Sequence, residues 1–420
     1  MYKAPRGTVD VLPQDQKYWR YVEAQAIKVC RRFGYHRIDT PVFEDAGLFL
    51  RGVGEATDIV QKETYTFDDR GGNPLTLRPE GTAPVCRAYL ERGMSNLPQP
   101  VRLHYFCPIF RYERPQAGRY RQHHQFGIEA IGDGDPLIDA EVIQLGWALT
   151  QELGLRGLEL VVNSIGDQAC RPAYLEALKT YYEPHLADVC EDCRARHQRN
   201  PLRLLDCKQE SCQWYIEQAP ASVEHLCDAC REHWETLLSY LDKVNLPYRT
   251  DHRLVRGLDY YTRTVFEIQP PEEGSQNTII GGGRYDGLIE QLGGPATPGI
   301  GFGSGIERLV MNLKRQEIEV PEESATPIVI VHMGDAGRIH GLELAARLRD
   351  ADLRVLMAPA GRSLRAQLRY ASSLEAQFSV VIGDDELTRS VSAVRNMADG
   401  TQQDVPDDGV VTYLREKFRQ

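Results

Sequence analysis

Two short strings do most to limit the folds open to this chain: FRYERP at 110–115 and GFGSGIERL at 301–309. The first closes a β-prone run containing Phe106, Ile109, Phe110 and Tyr112, with Arg111 and Glu113 two residues apart. On a strand that spacing turns both side chains to one face. A guanidinium beside a carboxylate on a sheet suits a nucleotide, since Arg clamps phosphate and Glu accepts from an exocyclic amine. The second string predicts a glycine-rich strand-to-helix turn carrying Arg308, where backbone and guanidinium can both approach a polyphosphate. Taken alone, each string is more often an ordinary surface ion pair or a tight turn.

At 420 residues the chain exceeds one hydrophobic core, so two or three domains are expected. The opening MYKAPRGTVDVLP lacks the charged-then-apolar build of a signal peptide, and no apolar run reaches membrane-spanning length. The expectation is a cytoplasmic protein without a membrane partner. A net charge of -11 offers no global attraction to nucleic acid, so any RNA contact needs local basic patches.

Residues 14–33 put Trp19, Val22, Ala26, Val29 and Phe33 on one helical face. Strand-like segments recur at 75–82, 101–113 and 125–132, with helices at 83–92 and 139–153 between them. Strands outnumber βαβ units, which predicts an α+β core, 1–325, built on a mostly antiparallel sheet. Within it, 166–245 turns helical, charged and cysteine-rich and reads as an insertion. The stretch 314–327 is a charged, proline-bearing linker. Beyond it, 327–420 begins strand, helix, strand, with Gly341, Leu344, Ala345 and Leu348 on one stripe, and predicts a small parallel α/β domain.

Four polar clusters stand beside glycines or in strand-like runs. QFGIEAIG places Gln125, Gly127 and Glu129 on one face, leaving room for a small polar ligand, although a solvent-facing polar strand has the same pattern. LRPEGT adds Glu80 and Thr82. RGLDYY adds Arg256, Asp259 and Tyr261, and GGGRYDG adds Arg284 and Tyr285.

In this order, FRYERP and GFGSGIERL resemble motifs 2 and 3 of the class II aminoacyl-tRNA synthetases. RGLDYYTRTVFE and GGGRYDGL resemble the two histidyl-specific motifs of the histidyl-tRNA synthetase family, to which RGTVDVLP, TDIVQKE, LRPEGTAP and NPLRLLDCK are also similar. The resemblance covers nearly the whole chain. It implies a histidine–tRNA ligase that activates L-histidine with ATP, as its Mg2+ complex, and transfers it to tRNA(His). It implies that Arg111 and Arg256 act catalytically at the α-phosphate and also bind histidine, Arg111 through the histidine carboxylate, that Glu113 reads adenine and that Arg308 holds the far phosphates. Glu80, Thr82 and Gln125 would grip the α-amino group, and Glu129, Tyr261 and Tyr285, with Tyr260, would read the imidazole. Arg114 and Gln116 match the contact region for the tRNA acceptor end. His123 stands where the family usually has a phenylalanine stacked on adenine, so ATP binding is expected to be weaker. The resemblance further implies a homodimer paired around YHRIDTP and an anticodon-binding role for 327–420.

The rival is a non-catalytic, synthetase-like regulatory subunit of ATP phosphoribosyltransferase. Arg111, Glu113, Arg256 and Arg308 are all present, and a complete extra domain follows the core; both count against it. Glu129, Tyr261 and Tyr285 argue against synthetases for glycine, proline or threonine. In the C-terminal domain, Arg362, Arg365 and Arg369 are expected on one helix face, with Leu364, Leu368 and Ala371 opposite. From the pattern this is equally a solvated face; the resemblance favours RNA.

Ten cysteines in a chain of this kind suggest thiols or metal ligands rather than disulfides. CEDC at 190–193 and CDAC at 227–230 could supply four thiolates to one zinc, with Cys207 and Cys212 between them. The spacing is longer than the usual ribbon and the family does not generally need zinc. Buried free thiols are the expectation, and a structural zinc is not.

Overall fold

The computed structural model describes residues 2–53, 62–113, 119–270, 278–321 and 327–419. The chain divides into two compact units, Met1–Pro321 and Glu322–Gln420.

The first unit is organised by an eight-stranded sheet. Its spatial order is His36–Arg37, Val101–Phe110, Gln122–Ile131, Gly299–Gly305, Ile280–Arg284, Thr262–Gln269, Glu159–Ser164 and Arg249–Thr250. The six inner strands pair antiparallel, and the two short edge strands pair parallel. The mostly antiparallel sheet read from the sequence is therefore the one observed.

Strand alternation sorts the two faces. Phe126, Ile128 and Ala130 pack into one core with Phe266, Ile268, Ile300 and Phe302. That core is covered by helix Gln16–Arg32 through Val22, Ala26 and Val29, by helix Pro136–Glu152 through Val142, Leu145 and Leu149, and by helix Ile306–Arg315 through Leu309 and Leu313. Burying each such large apolar side chain contributes roughly 1.5–3 kcal/mol. The opposite face carries Gln125, Gly127 and Glu129 in register with Cys107, Tyr105 and Leu103.

Two segments read as continuous strand end early. The strand before Arg111 stops at Phe110, so Arg111 and Glu113 lie just past it. LRPEGT is strand only to Leu77; Glu80 lies in the following turn and Thr82 opens helix Thr82–Glu91. Helices Arg171–Tyr182, Glu191–Arg199, Glu210–Glu217 and Asp228–Lys243 stand between strands Glu159–Ser164 and Arg249–Thr250.

The second unit is a five-stranded sheet ordered Val355–Met357, Ile328–His332, Phe378–Ile382, Val391–Asn396 and Gln402–Pro406. The first three strands are parallel and the last two antiparallel, so the sheet is mixed rather than wholly parallel. Helix Gly334–Asp350 buries the predicted stripe of Gly341, Leu344, Ala345 and Leu348. Helix Leu364–Ser373 starts after its cap Ser363, whose hydroxyl accepts from the Ala366 N–H at 3.4 Å. Arg362 therefore precedes the helix instead of sharing its face, and Leu364 stays exposed. Among the described residues no helix is long and apolar enough to cross a membrane.

Candidate active site

The run Gly299–Gly305 alternates glycine with Ile300, Phe302 and Ser304. The larger residues turn to the helices and the glycines clear the other face, so side chains of neighbouring segments lie directly on the backbone. A Cβ on Gly301 would sit 2.1 Å from Glu129 Oε2, and one on Gly303 would sit 2.5 Å from Gln125 Nε2. On the adjacent strand, a Cβ on Gly281 would meet the Arg256 guanidinium at 2.6 Å. Glycine inside a strand commonly marks such close approach. This cleared face is the floor of a cavity of about 560 Å³.

The cavity gathers residues from distant segments. Glu80, Thr82, Arg111, Glu113, His123, Gln125, Arg256, Tyr260, Tyr261, Tyr285 and Arg308 all line it. Glu129 is 1 % exposed and lies one layer beneath. Its carboxylate accepts from the hydroxyls of Thr82 (2.8 Å), Tyr105 (3.2 Å) and Tyr285 (2.6 Å). Desolvation outweighs these bonds and pushes its pKa up to about 8. Glu80 accepts from the N–H groups of Thr82 and Ala83, both at 2.7 Å, at the start of helix Thr82–Glu91. Burial nevertheless raises its pKa.

Three of the guanidiniums that line the cavity, those of Arg111, Arg256 and Arg308, converge on the remaining wall. Arg111 is anchored by its Nε donating to the Pro79 carbonyl at 2.7 Å, and its Nη1 stands 3.9 Å from Glu113 Oε1. Arg308 donates to the Thr278 carbonyl at 2.8 Å. Arg256 pairs with Glu267, which also accepts from the Thr278 hydroxyl at 2.7 Å. Desolvation holds Arg111 and Arg308 below the usual guanidinium range, and the crowding of like charges adds to it. Burial acts in the same direction and is the largest single effect on Arg256, but Glu267 together with Tyr261 and Tyr260 outweighs it and raises the pKa. Crowded, desolvated cations of this kind are what an anion relieves. His123 is pushed down to about 3 by burial and then by Arg111 and Arg308, so its ring is neutral at physiological pH.

Some expectations fall elsewhere. Arg284 is fully buried on the helix side, paired with Asp139 at 2.7 Å and Asp286 at 2.8 Å. It is structural because its strand alternation opposes it to Gly281 and Gly283. Asp259 accepts from Asn200 Nδ2 at 2.9 Å and does not line the cavity. Arg114, Gln116 and most of TDIVQKE lie outside the described residues. The single zinc set of Cys190, Cys193, Cys227 and Cys230 is not assembled. The fold sends the two CxxC pairs to different clusters, Cys190 and Cys193 with Cys207 and Cys212, and Cys227 and Cys230 with Asp167 and Cys170.

Sequence reasoning missed Tyr105, Glu267 and Arg203. Tyr105 is the cross-strand partner of Gly127, and its hydroxyl links Gln125 to Glu129. Glycine at every second position of Gly299–Gly305 was the available signal that large polar side chains cross this face. Arg203 comes from the insertion and lines the cavity beside Gly257; the string NPLRLLDCK that carries it was the available signal, but it gave the arginine no role.

An antiparallel sheet with clustered arginines over a glycine-cleared face is the architecture of the class II aminoacyl-tRNA synthetases, the class that FRYERP and GFGSGIERL resemble. Comparison with known proteins narrows this. The family model described as histidyl-tRNA synthetase matches residues 7–309, and one described as an anticodon binding domain matches 328–417. The chain is 54% identical over 418 residues to a histidine–tRNA ligase of Dehalococcoides mccartyi, covering 100% of both chains. It is 48% identical to that of Pelotomaculum thermopropionicum, covering 99% of this chain and 97% of the relative. The crystal structure of apo S. aureus histidyl-tRNA synthetase superposes with a TM-score of 0.81 at 40% identity, covering 98% of this chain and 99% of that one. The chain belongs to the histidyl-tRNA synthetase family.

Proposed function

We propose that the cavity is where this histidine–tRNA ligase forms histidyl-adenylate, with L-histidine over Glu129 and ATP, as its Mg2+ complex, against the three guanidiniums. The observation that carries this is the burial of Glu129 among hydroxyl donors beside a wall of crowded arginines. The histidine carboxylate attacks the α-phosphorus of ATP, the bond to the β-phosphate oxygen breaks, and pyrophosphate leaves. Negative charge grows on the non-bridging oxygens. Arg256 and Arg111, already fixed by Glu267 and the Pro79 carbonyl, stabilise it without reorganising. No side-chain nucleophile is needed. In the second step the terminal ribose hydroxyl of tRNA(His) attacks the acyl carbon and AMP leaves.

Glu129 and the tyrosines read the imidazole: an analogue lacking the ring N–H leaves buried acceptors unpaired, a discrimination of roughly 10⁴–10⁵. Glu80, Thr82 and Gln125 take the α-amino group. Glu113 receives the adenine amine, with the neutral His123 ring stacked alongside. Arg308 takes the far phosphates, and Arg114 and Gln116 the acceptor end. The boundaries are a catalytic core of 1–325, an insertion of 166–245 and an anticodon-binding domain of 327–420. The regulatory-subunit reading loses ground because the ligase relatives match end to end.

We further propose a cytoplasmic homodimer paired around the exposed edge strand His36–Arg37. A stable, active monomer in sedimentation would refute the pairing. ATP–pyrophosphate exchange against twenty amino acids tests the main reading: histidine alone should drive it, and exchange driven by another amino acid overturns it.

A further inference from the structure

We propose that the insertion holds two structural zinc ions, one on Cys190, Cys193, Cys207 and Cys212, the other on Asp167, Cys170, Cys227 and Cys230. In each set the ligand atoms lie within 4.8 Å of one another. A tetrahedral zinc with Zn–S bonds of about 2.3 Å has S···S edges of about 3.8 Å. Cys190 Sγ and Cys207 Sγ stand 3.7 Å apart, which fits such an edge and is far too long for a disulfide of about 2.05 Å.

The two sites are built alike. Cys190 is the N-cap of helix Glu191–Arg199 and Cys227 the N-cap of helix Asp228–Lys243; the second cysteine of each pair falls in the first helical turn. A helix N-terminus favours negative charge, and so the thiolate. Backbone N–H groups donate to the sulfurs of the first set: Cys190 N to Cys212 Sγ at 3.3 Å and Gln209 N to Cys207 Sγ at 3.5 Å. Such bonds orient metal-bound thiolates.

A separate observation carries the second set. Gly166, at φ +64°, brings the backbone so close to Cys170 that a Cβ there would lie 2.6 Å from its sulfur. Asp167 Oδ1 stands 3.6 Å from the same sulfur, while Asp167 Oδ2 is oriented by Arg263 at 3.4 Å.

The first site has a consequence for the cavity. The chain between its ligands supplies Arg196, Arg203 and Asp206 to the cavity wall, and Lys208 follows Cys207 there. Arg203 lies against Gly257, beside Arg256. Zinc at this site fixes the wall that faces the substrates, since a structural zinc contributes its binding free energy to folding.

Metal analysis of the full-length protein, purified without chelator and equilibrated with excess zinc before gel filtration, tests this independently of catalysis. Two zinc ions per chain are expected. Cys207→Ser and Cys227→Ser should each retain one, and Cys30→Ser, outside both clusters, should retain two. Cobalt replacement should give intense visible bands of tetrahedral thiolate coordination, with the four-sulfur component lost in Cys207→Ser. In the unmodified protein, no bound zinc after equilibration overturns both sites. One zinc abolished by Cys207→Ser but kept by Cys227→Ser overturns the Asp167 site, and the reverse overturns the four-cysteine site.

Discussion

In the catalytic unit Arg111 and Arg256 each keep 22 % of the side chain exposed and are fixed by a carbonyl or a carboxylate. In the C-terminal unit Arg362, Arg365 and Arg369 stand exposed at and before a helix. As proposed, both groups offer guanidiniums to phosphate, but by different physics. Fixed charges in a desolvated site stabilise a transition state because their reorganisation was completed on folding. Exposed charges attract a polyanion by releasing its counterions, which is additive, salt-dependent and indifferent to the exact side-chain position.

The sharpest way to break this contrast is Arg256→His. The adenylation rate should fall roughly 10²–10³-fold, with a smaller change in the Michaelis constant for histidine. A raised Michaelis constant with an unchanged turnover number would make Arg256 a binding group, no different in kind from the C-terminal arginines.

Glu129→Gln comes next. Removing a buried charged acceptor costs roughly 1.5–3 kcal/mol, about 10–10²-fold in histidine affinity. The pH behaviour follows from its raised pKa, about 8 in the folded protein. Protonation stabilises the unliganded fold, so the contribution is full below the ordinary carboxylate pKa and is lost as pH rises through about 8. An imidazole N–H donates to the ionised form. Histidine binding near pH 7 should therefore release a proton from Glu129, seen by calorimetry in buffers of different ionisation enthalpy and missing in Glu129→Gln. Equal proton release in both proteins would remove Glu129 from imidazole recognition.

Reversing Arg365 and Arg369 to Glu should have a milder effect. The Michaelis constant for tRNA should rise several-fold to tenfold and its salt dependence flatten, while ATP–pyrophosphate exchange is unchanged. Equal losses in both reactions would show the stripe to be structural.

The smallest effect is expected for His123→Phe. The native ring is already neutral, so the swap exchanges one flat surface for a larger one. ATP affinity should improve by no more than about threefold, a gain on the order of 0.5 kcal/mol, and any ATP affinity change that depends on pH between 5.5 and 8 would contradict a neutral His123.

Much of this protein was legible before any coordinates. Alternation and the strand count were enough for the antiparallel sheet, the helical stripe of Val22, Ala26 and Val29, and the core-facing stripe of Leu344, Ala345 and Leu348. These are local periodicities, and burial rewards them wherever the element packs. The motif strings also named most of the residues that line the cavity. What the sequence could not decide is partnership across distance. Arg284 sits two residues past Gly282 in a motif that looks functional, yet strand alternation sends it to Asp139 on the other face. Tyr105 reaches Glu129 only because two strands pair in one register. The CxxC pairs look like one set of four ligands by spacing alone. Tertiary packing separates them, because each helix N-terminus meets a different loop, and sulfurs that are neighbours in space are set by the fold rather than by their order in the chain.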